Sequence, residues 1–285
     1  MKPIEKIHLQ IHESLILNGF ALGWGLYILL LALLDIFLNY LEWTKISALQ
    51  RLVNVSQDDG LVNWFSSIQL LSIAIVLWII VAILYTQRES ITRFVLFGWG
   101  FIASFFTYLA FDDGSRFHER IGTAVEETFK HEGGGSAGGW FSQLVSQFPS
   151  FHWQLVFVPT LACIGLFVMW FMWKNLYTRQ QKILVFLGLC LYACSVVLDF
   201  IEGIEGVYTG LANSLGLKTY AISHMSIVIE ECCEMFGNTL ICLAFIKQLL
   251  NLAGQWSIQV FSESYPEKTQ EPQGLSSTEL TEPRT

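Results

Sequence analysis

Glu230, Glu231 and Glu234 stand in the middle of an apolar stretch, AISHMSIVIEECCEMFGNTLICLAFIKQLL (221–250), that is long enough to cross a bilayer. Together with His224 and Asn238 they fall inside an arc of roughly 120° on a helix. A charged side chain at the bilayer centre costs about 2.5 kcal/mol or more. An acidic stripe of this kind must therefore face other helices, where protons, a cation or a metal ion neutralise it. Two chemistries use such a stripe: ligation of a divalent ion, and the uptake and release of protons.

Partners for the stripe are found at the ends of other apolar runs. Asp112, Asp113, His118 and Glu119 follow the third run, and Asp199, Glu202 and Glu205 close the fifth at i, i+3 and i+6. Asp35 lies toward the end of the first run, and His152 opens the fourth. The candidate metal or proton site is thus Asp112, His118, Glu119, Asp199, Glu202, His224, Glu230, Glu231 and Glu234. Of these, Glu230, Glu231, Glu234, Asp199 and His118 are the expected ligands of a divalent metal, with zinc, iron and manganese left open. The deep helix has no Glu-x-x-His repeat of the di-iron bundles. His8 and His12, four apart near the N-terminus, have metal-clasping spacing but no acidic partner nearby, and read as exposed interfacial residues. Cys232 and Cys233 read as packing residues.

The elements that must carry these side chains are helices. Of the 285 residues, 53% are hydrophobic and 14% charged, far too apolar a balance for an ordinary soluble domain. The net charge of −8 and the absence of a Lys/Arg cluster exclude nucleic acid as a partner. Six apolar runs, at 15–41, 64–85, 94–111, 153–176, 183–207 and 221–250, approach or exceed the length that spans about 30 Å of hydrocarbon. The expected fold is all-α, a polytopic transmembrane bundle of about six spans over residues 15–254. An amphipathic segment at 1–14 precedes it, and a polar, disordered tail at 255–285 follows it. Gly114 offers a break after the third span, Gly133–Gly139 reads as a loop, and 140–148 as an interfacial helix. All six cysteines lie in apolar runs, so no extramembrane disulfide framework is expected.

Six spans bring both termini to one side. Lys2, Lys6, Arg88, Arg93, Lys174, Arg179, Lys182 and Lys247 fall there, and the 174–182 connection holds no acid. The positive-inside rule then puts both termini in the cytoplasm and the acidic cluster at the outer side.

FDDGSRFHERIG (111–122) and IEECCEMFGNTL (229–240) carry a resemblance. They are similar to the Asp-(Asp/Glu)-x4-His-Glu-Arg-(Ile/Leu) and (Ile/Leu)-Glu-Glu-x-x-Glu-Met-x-Gly segments of a group of uncharacterised bacterial multi-span membrane proteins. The resemblance covers spans 3 to 6. It implies that Asp112, His118, Glu119, Glu230, Glu231 and Glu234 form one functional unit in a bacterial inner membrane, and it assigns no activity.

From the residues, the leading expectation is an integral membrane protein that binds a divalent metal at the outer side and acts on a lipid or lipid-linked substrate. The alternatives are a proton- or cation-coupled transporter or channel that uses the same acids, and a non-catalytic sensor or assembly factor. Spans 5 and 6, joined by a short polar loop at 209–219, are expected to pack antiparallel. Asp199 should then face the span-6 glutamates, with Asp112 or His118 at the mouth of the site.

Overall fold

An apolar run in hydrocarbon has no water to satisfy its backbone, so it closes its own hydrogen bonds as a helix. The computed structural model describes residues 12–57, 59–132 and 140–253, and it follows this rule throughout. In chain order the helices are α1 (Glu13–Asp35), continued by one π-helical turn at Ile36–Tyr40, α2 (Ser47–Val53), α3 (Leu61–Thr86) and α4 (Arg93–Ser115). They continue with α5 (Phe117–Glu132), α6 (Trp140–Gln147), α7 (His152–Asn175), α8 (Arg179–Glu202), α9 (Val207–Leu215) and α10 (Thr219–Ala253). There is no strand among the described residues. Six of these helices, α1, α3, α4, α7, α8 and α10, are long and apolar enough to cross a membrane. The chain is an all-α, polytopic transmembrane bundle. The segment at 1–11, with His8, and the tail from 254 onward lie outside the described residues, as does the glycine-rich stretch at 133–139.

Three local details differ from the sequence expectation. Gly114 is not where span 3 breaks: α4 continues through it to Ser115 and ends at Arg116, which takes the left-handed conformation (φ 54°, ψ 40°). Span 5 stops at Glu202, which leaves Glu205 exposed on the turn beyond. The 209–219 connection is largely helical, because Gly206 and Gly216, both at positive φ, bracket α9.

The helix α10 is the most buried of the six spans. It packs most extensively against α8, then α3 and α1, while α3 pairs with α4. Two glycines let α8 and α10 approach closely. A Cβ at Gly188 would meet Ile241 Cγ1 at 2.6 Å and Gly237 O at 3.0 Å, and one at Gly237 would meet Gly188 O at 3.2 Å. Small residues at such crossings replace the hydrophobic drive that lipid does not supply. Around this contact Trp99, Phe171 and Phe245 interlock, Trp99 meeting both phenylalanines edge-on at 5.8 and 6.1 Å. Ile73, Leu77, Ile80 and Ile102 complete a sealed apolar layer nearer the termini. Polar side chains collect in the opposite half.

Candidate acid–base site

The site begins at the break in α4. The left-handed Arg116 redirects the chain and sets the first turn of α5 against Asp112. Asp112 then grips His118 twice. Its Oδ1 accepts the backbone N–H of His118 at 2.9 Å, and its Oδ2 lies 2.7 Å from the ring Nδ1, which donates to it. A carboxylate at a helix N-terminus also suits the dipole of α5. Tyr108 donates its hydroxyl to Asp112 Oδ1 at 3.3 Å. With Nδ1 held, Nε2 is the ring nitrogen left to act, and Glu119 Oε1 lies 4.0 Å from it. Trp153 packs edge-on against the imidazole at 4.7 Å and narrows its access to water. Burial works against the imidazolium. The hydrogen bond and charge of Asp112, aided by Glu119 and Glu234, outweigh it and raise the His118 pKa above its ordinary value.

The second wall of the site is the α8–α10 seam. Gly188 meets Ile241, Tyr192 donates to Asn238, and Ser195 Oγ donates to Glu234 Oε1 at 2.8 Å. This is one antiparallel register read turn by turn, and its next step sets Asp199 opposite Glu230. Glu230 accordingly feels the charges of Asp199, Glu234 and Glu202. Asp199 is held by Gln154 Nε2 at 2.6 Å, and Asp113 by Ser67 Oγ at 2.6 Å. Glu234 interacts electrostatically with Asp113, Asp199 and His118. Asp112, Asp113, His118, Glu119, Asp199, Glu202, Glu230 and Glu234, from α4, α5, α8 and α10, thus form one electrostatically linked group.

Inward of the carboxylates the polar chain continues for one layer. Asn238 Nδ2 reaches Ser66 Oγ at 3.4 Å and Gln69 Oε1 at 3.5 Å, and Gln69 donates to Thr239 at 3.1 Å. Then it stops. The side chains of Ile241, Cys242, Ala244 and Phe245 are buried and apolar, and polar contacts on α10 resume with Gln181, whose Nε2 lies 3.4 Å from Ala244 O and 3.0 Å from Gln248 Oε1. Thr239 and Ala244 are five residues apart, a dry layer of about 7.5 Å along the helix axis.

His224 is not in this group. Its Nε2 pairs at 2.6 Å with Asp35, and both side chains are buried. Asp35 also accepts from Asn39 Nδ2 at 3.0 Å and the Val55 N–H at 3.2 Å, so its two oxygens are fully engaged. Glu231 is half-buried on the side of Cys232, with which it interacts electrostatically. His152 turns to Glu126, 3.2 Å away, and donates its other nitrogen to Val145 O. Ser67, Ser195 and Gln154 are absent from the sequence-derived candidates, as is the pairing of His224 with Asp35; Asp113 and Asp35 stand there as neighbouring acids outside the candidate site itself. A lone acid in the first apolar run, with Asn39 one turn on, is the signal that marks Asp35. Among the described residues no group of three His, Cys, Asp or Glu side chains converges tightly enough to hold a metal ion. The cluster's carboxylates meet hydroxyl, amide and ring N–H donors instead.

The chain belongs to the family described as a domain of unknown function (DUF8692), whose model matches residues 21–248 and so takes in all six spans. No curated protein and no solved structure matches it significantly.

Proposed function

We propose that this member of a family of unknown function is a membrane-embedded acid–base protein. His118, oriented by Asp112, exchanges protons with a lipid or lipid-linked substrate that arrives from one face of the bilayer. The observation that carries this reading is the double grip of Asp112 on His118. A carboxylate on Nδ1 fixes the tautomer and steadies the imidazolium, which is what a histidine general base requires. In the step, Nε2 takes a proton from a substrate hydroxyl or a water, and the cation is balanced by Asp112. The proton then returns to the leaving group or passes to Glu119. Glu234, Asp113, Asp199 and Glu230 form the acidic floor behind the ring. The apolar layer below Thr239 supports an enclosed, one-sided site. A substrate with a lipid tail follows from the position of the site among lipid-facing helices.

The test is turnover of membrane lipid extracts by purified protein, followed by mass spectrometry. A general base contributes about 10²–10⁴ in rate, so His118→Ala and Asp112→Asn should each lose about 100-fold or more. Turnover that survives His118→Ala overturns the assignment.

The convergence of Asp113, Asp199, Glu230 and Glu234 favours a second reading, a divalent cation bound or carried by these acids. Metal at stoichiometric level in protein purified without chelator, lost in Glu230→Ala and Glu234→Ala, would favour a resident ion. Cation flux in proteoliposomes that vanishes in Glu230→Gln would favour transport. The dry layer weighs against transport, and the lack of a three-ligand group among the described residues weighs against a resident ion.

A further inference from the structure

Where α4 ends beside the start of α3, an open cavity of about 420 Å³ is lined by Asp59, Asn63, Gly114, Ser115, Arg116 and Arg120. Its chemistry is the opposite of the acidic floor one turn away. Arg116 and Arg120, one helical turn apart, bring two guanidinium groups to it. Arg116 is engaged by Glu119 at 2.7 Å, whereas no described ion pair engages Arg120. Asp59, the one acid among the described lining residues, is already bridged by Arg51 at 2.7 Å. The Ser115 hydroxyl is buried and has no hydrogen-bond partner among the described residues, although a buried hydroxyl left so costs about 1–3 kcal/mol. The first turn of α3 borders the same place through Asn63, and Gly60 provides that turn with no side-chain cap. Arg116 holds its left-handed backbone here without being glycine, a strain of the kind that collects at ligand sites. Gly114 closes the wall: its Cβ would lie 3.6 Å from Ser67 Oγ, the hydroxyl that holds Asp113.

We propose that this cavity is an anion site for a phosphate group, held by Arg120 and Arg116 and completed by the Ser115 hydroxyl and the α3 amides. Guanidinium forks match phosphate oxygens in pairs, and a helix N-terminus adds donors of the same sense. The cavity sits at the interfacial end of two spans, where the head of an amphipathic molecule would lie. In that place it fixes the head group one turn from Asp112, so the bond to be attacked lies near His118 Nε2. Only this last role rests on the acid–base reading; phosphate binding does not need His118.

The experiment titrates the full-length protein in neutral detergent with three probes, followed by calorimetry. The probes are inorganic phosphate, dihexanoyl phosphatidic acid, and dihexanoylglycerol, which has the same tails without the phosphate. A phosphate-bearing probe should bind saturably and weaken as salt rises. Arg120→Gln should weaken it by about tenfold, the loss of one charge-assisted hydrogen bond, and Arg120→Lys should recover part of that loss. His118→Ala should leave binding unchanged while it abolishes turnover, so failure of the acid–base reading is seen separately. Phosphatidic acid binding more tightly than inorganic phosphate assigns a lipid head group, and equal affinity assigns free phosphate. The proposal is overturned if neither phosphate probe binds, if dihexanoylglycerol binds as well as phosphatidic acid, or if Arg120→Gln binds like wild type.

Discussion

His224 Nε2 lies 2.6 Å from Asp35 Oδ2, an internal pair that ties α1 to α10 across 189 residues of sequence. Asp35 is fully buried and His224 is 3% exposed, with Tyr220 stacked on the imidazole at 5.3 Å. The π-helical turn at Ile36–Tyr40 begins at the next residue, so the carboxylate sits where the helical register of α1 shifts. Outside the acid–base group, this pair fixes the outermost span to the central helix.

Removing one member strands the other in hydrocarbon. His224→Ala and Asp35→Ala should each cost about 3–5 kcal/mol. The double variant should cost clearly less than their sum, because no charge is then left unpaired. Thermal melts of detergent-purified protein measure this, and additive losses would contradict the pairing.

The raised pKa of His118 fixes a sign. A histidine more easily protonated in the folded state than in the unfolded one stabilises the fold fully at pH below the ordinary value near 6.5. That stabilisation fades as pH rises through the raised folded-state value. Wild-type melting temperature should therefore fall from mildly acidic to mildly alkaline pH, and His118→Gln should flatten that slope. A wild-type slope of opposite sign, removed by the same substitution, would refute the Asp112–His118 assignment.

Glycine at the α8–α10 crossing is a packing requirement. Gly188→Leu drives a side chain into Ile241 and the Gly237 carbonyl, and overpacking of this kind costs about 1–3 kcal/mol or more. It should also disturb the site, because the same register sets Ser195 against Glu234. Gly165 is the control: nothing lies within 4 Å of its Cβ position, so Gly165→Ala should be neutral or slightly stabilising. Comparable losses at both positions would remove the crossing from the account.

The spans were legible in sequence because apolar length is a local property. Each of the six runs exceeds or approaches what a bilayer needs, and no tertiary contact changes that. The α8–α10 pairing was legible for a similar reason, since a short connection leaves two spans little choice but to lie side by side. Partner choice across the bundle was not. His224 shares its helical arc with Glu230 and Glu234, yet an arc of 120° is wide enough for one edge to face α1 and the other α8. Only packing decides which. The break after span 3 was sought at Gly114, the residue with the freest backbone, whereas the chain turns at Arg116. Helix end points depend on what the following residues can dock against, here Asp112 capturing His118. The arginine-lined cavity was equally out of reach, because it joins the start of α3 to the end of α4.

Glu234 offers the sharpest connection between the buried seam and the interfacial dyad. Its carboxylate comes from the middle of α10, and its charge reaches His118 on α5, where it adds to the effects of Asp112 and Glu119. Each of these acids favours the imidazolium, so removing any one should lower the His118 pKa. Asp112→Asn takes away the hydrogen bond as well as the charge and should lower it most. Glu119→Gln should have a smaller effect, and Glu234→Gln the smallest of the three. The isosteric amide in Glu234→Gln can still accept from Ser195, so the seam keeps its packing and the loss is one of charge. NMR titration of labelled histidine, with His118→Gln to assign the resonance, reads all three shifts directly. A downward shift in Glu234→Gln joins span 6 to the proton chemistry of the dyad. An unmoved or raised pKa in that variant would separate the two and leave Glu234 a structural acid held by Ser195.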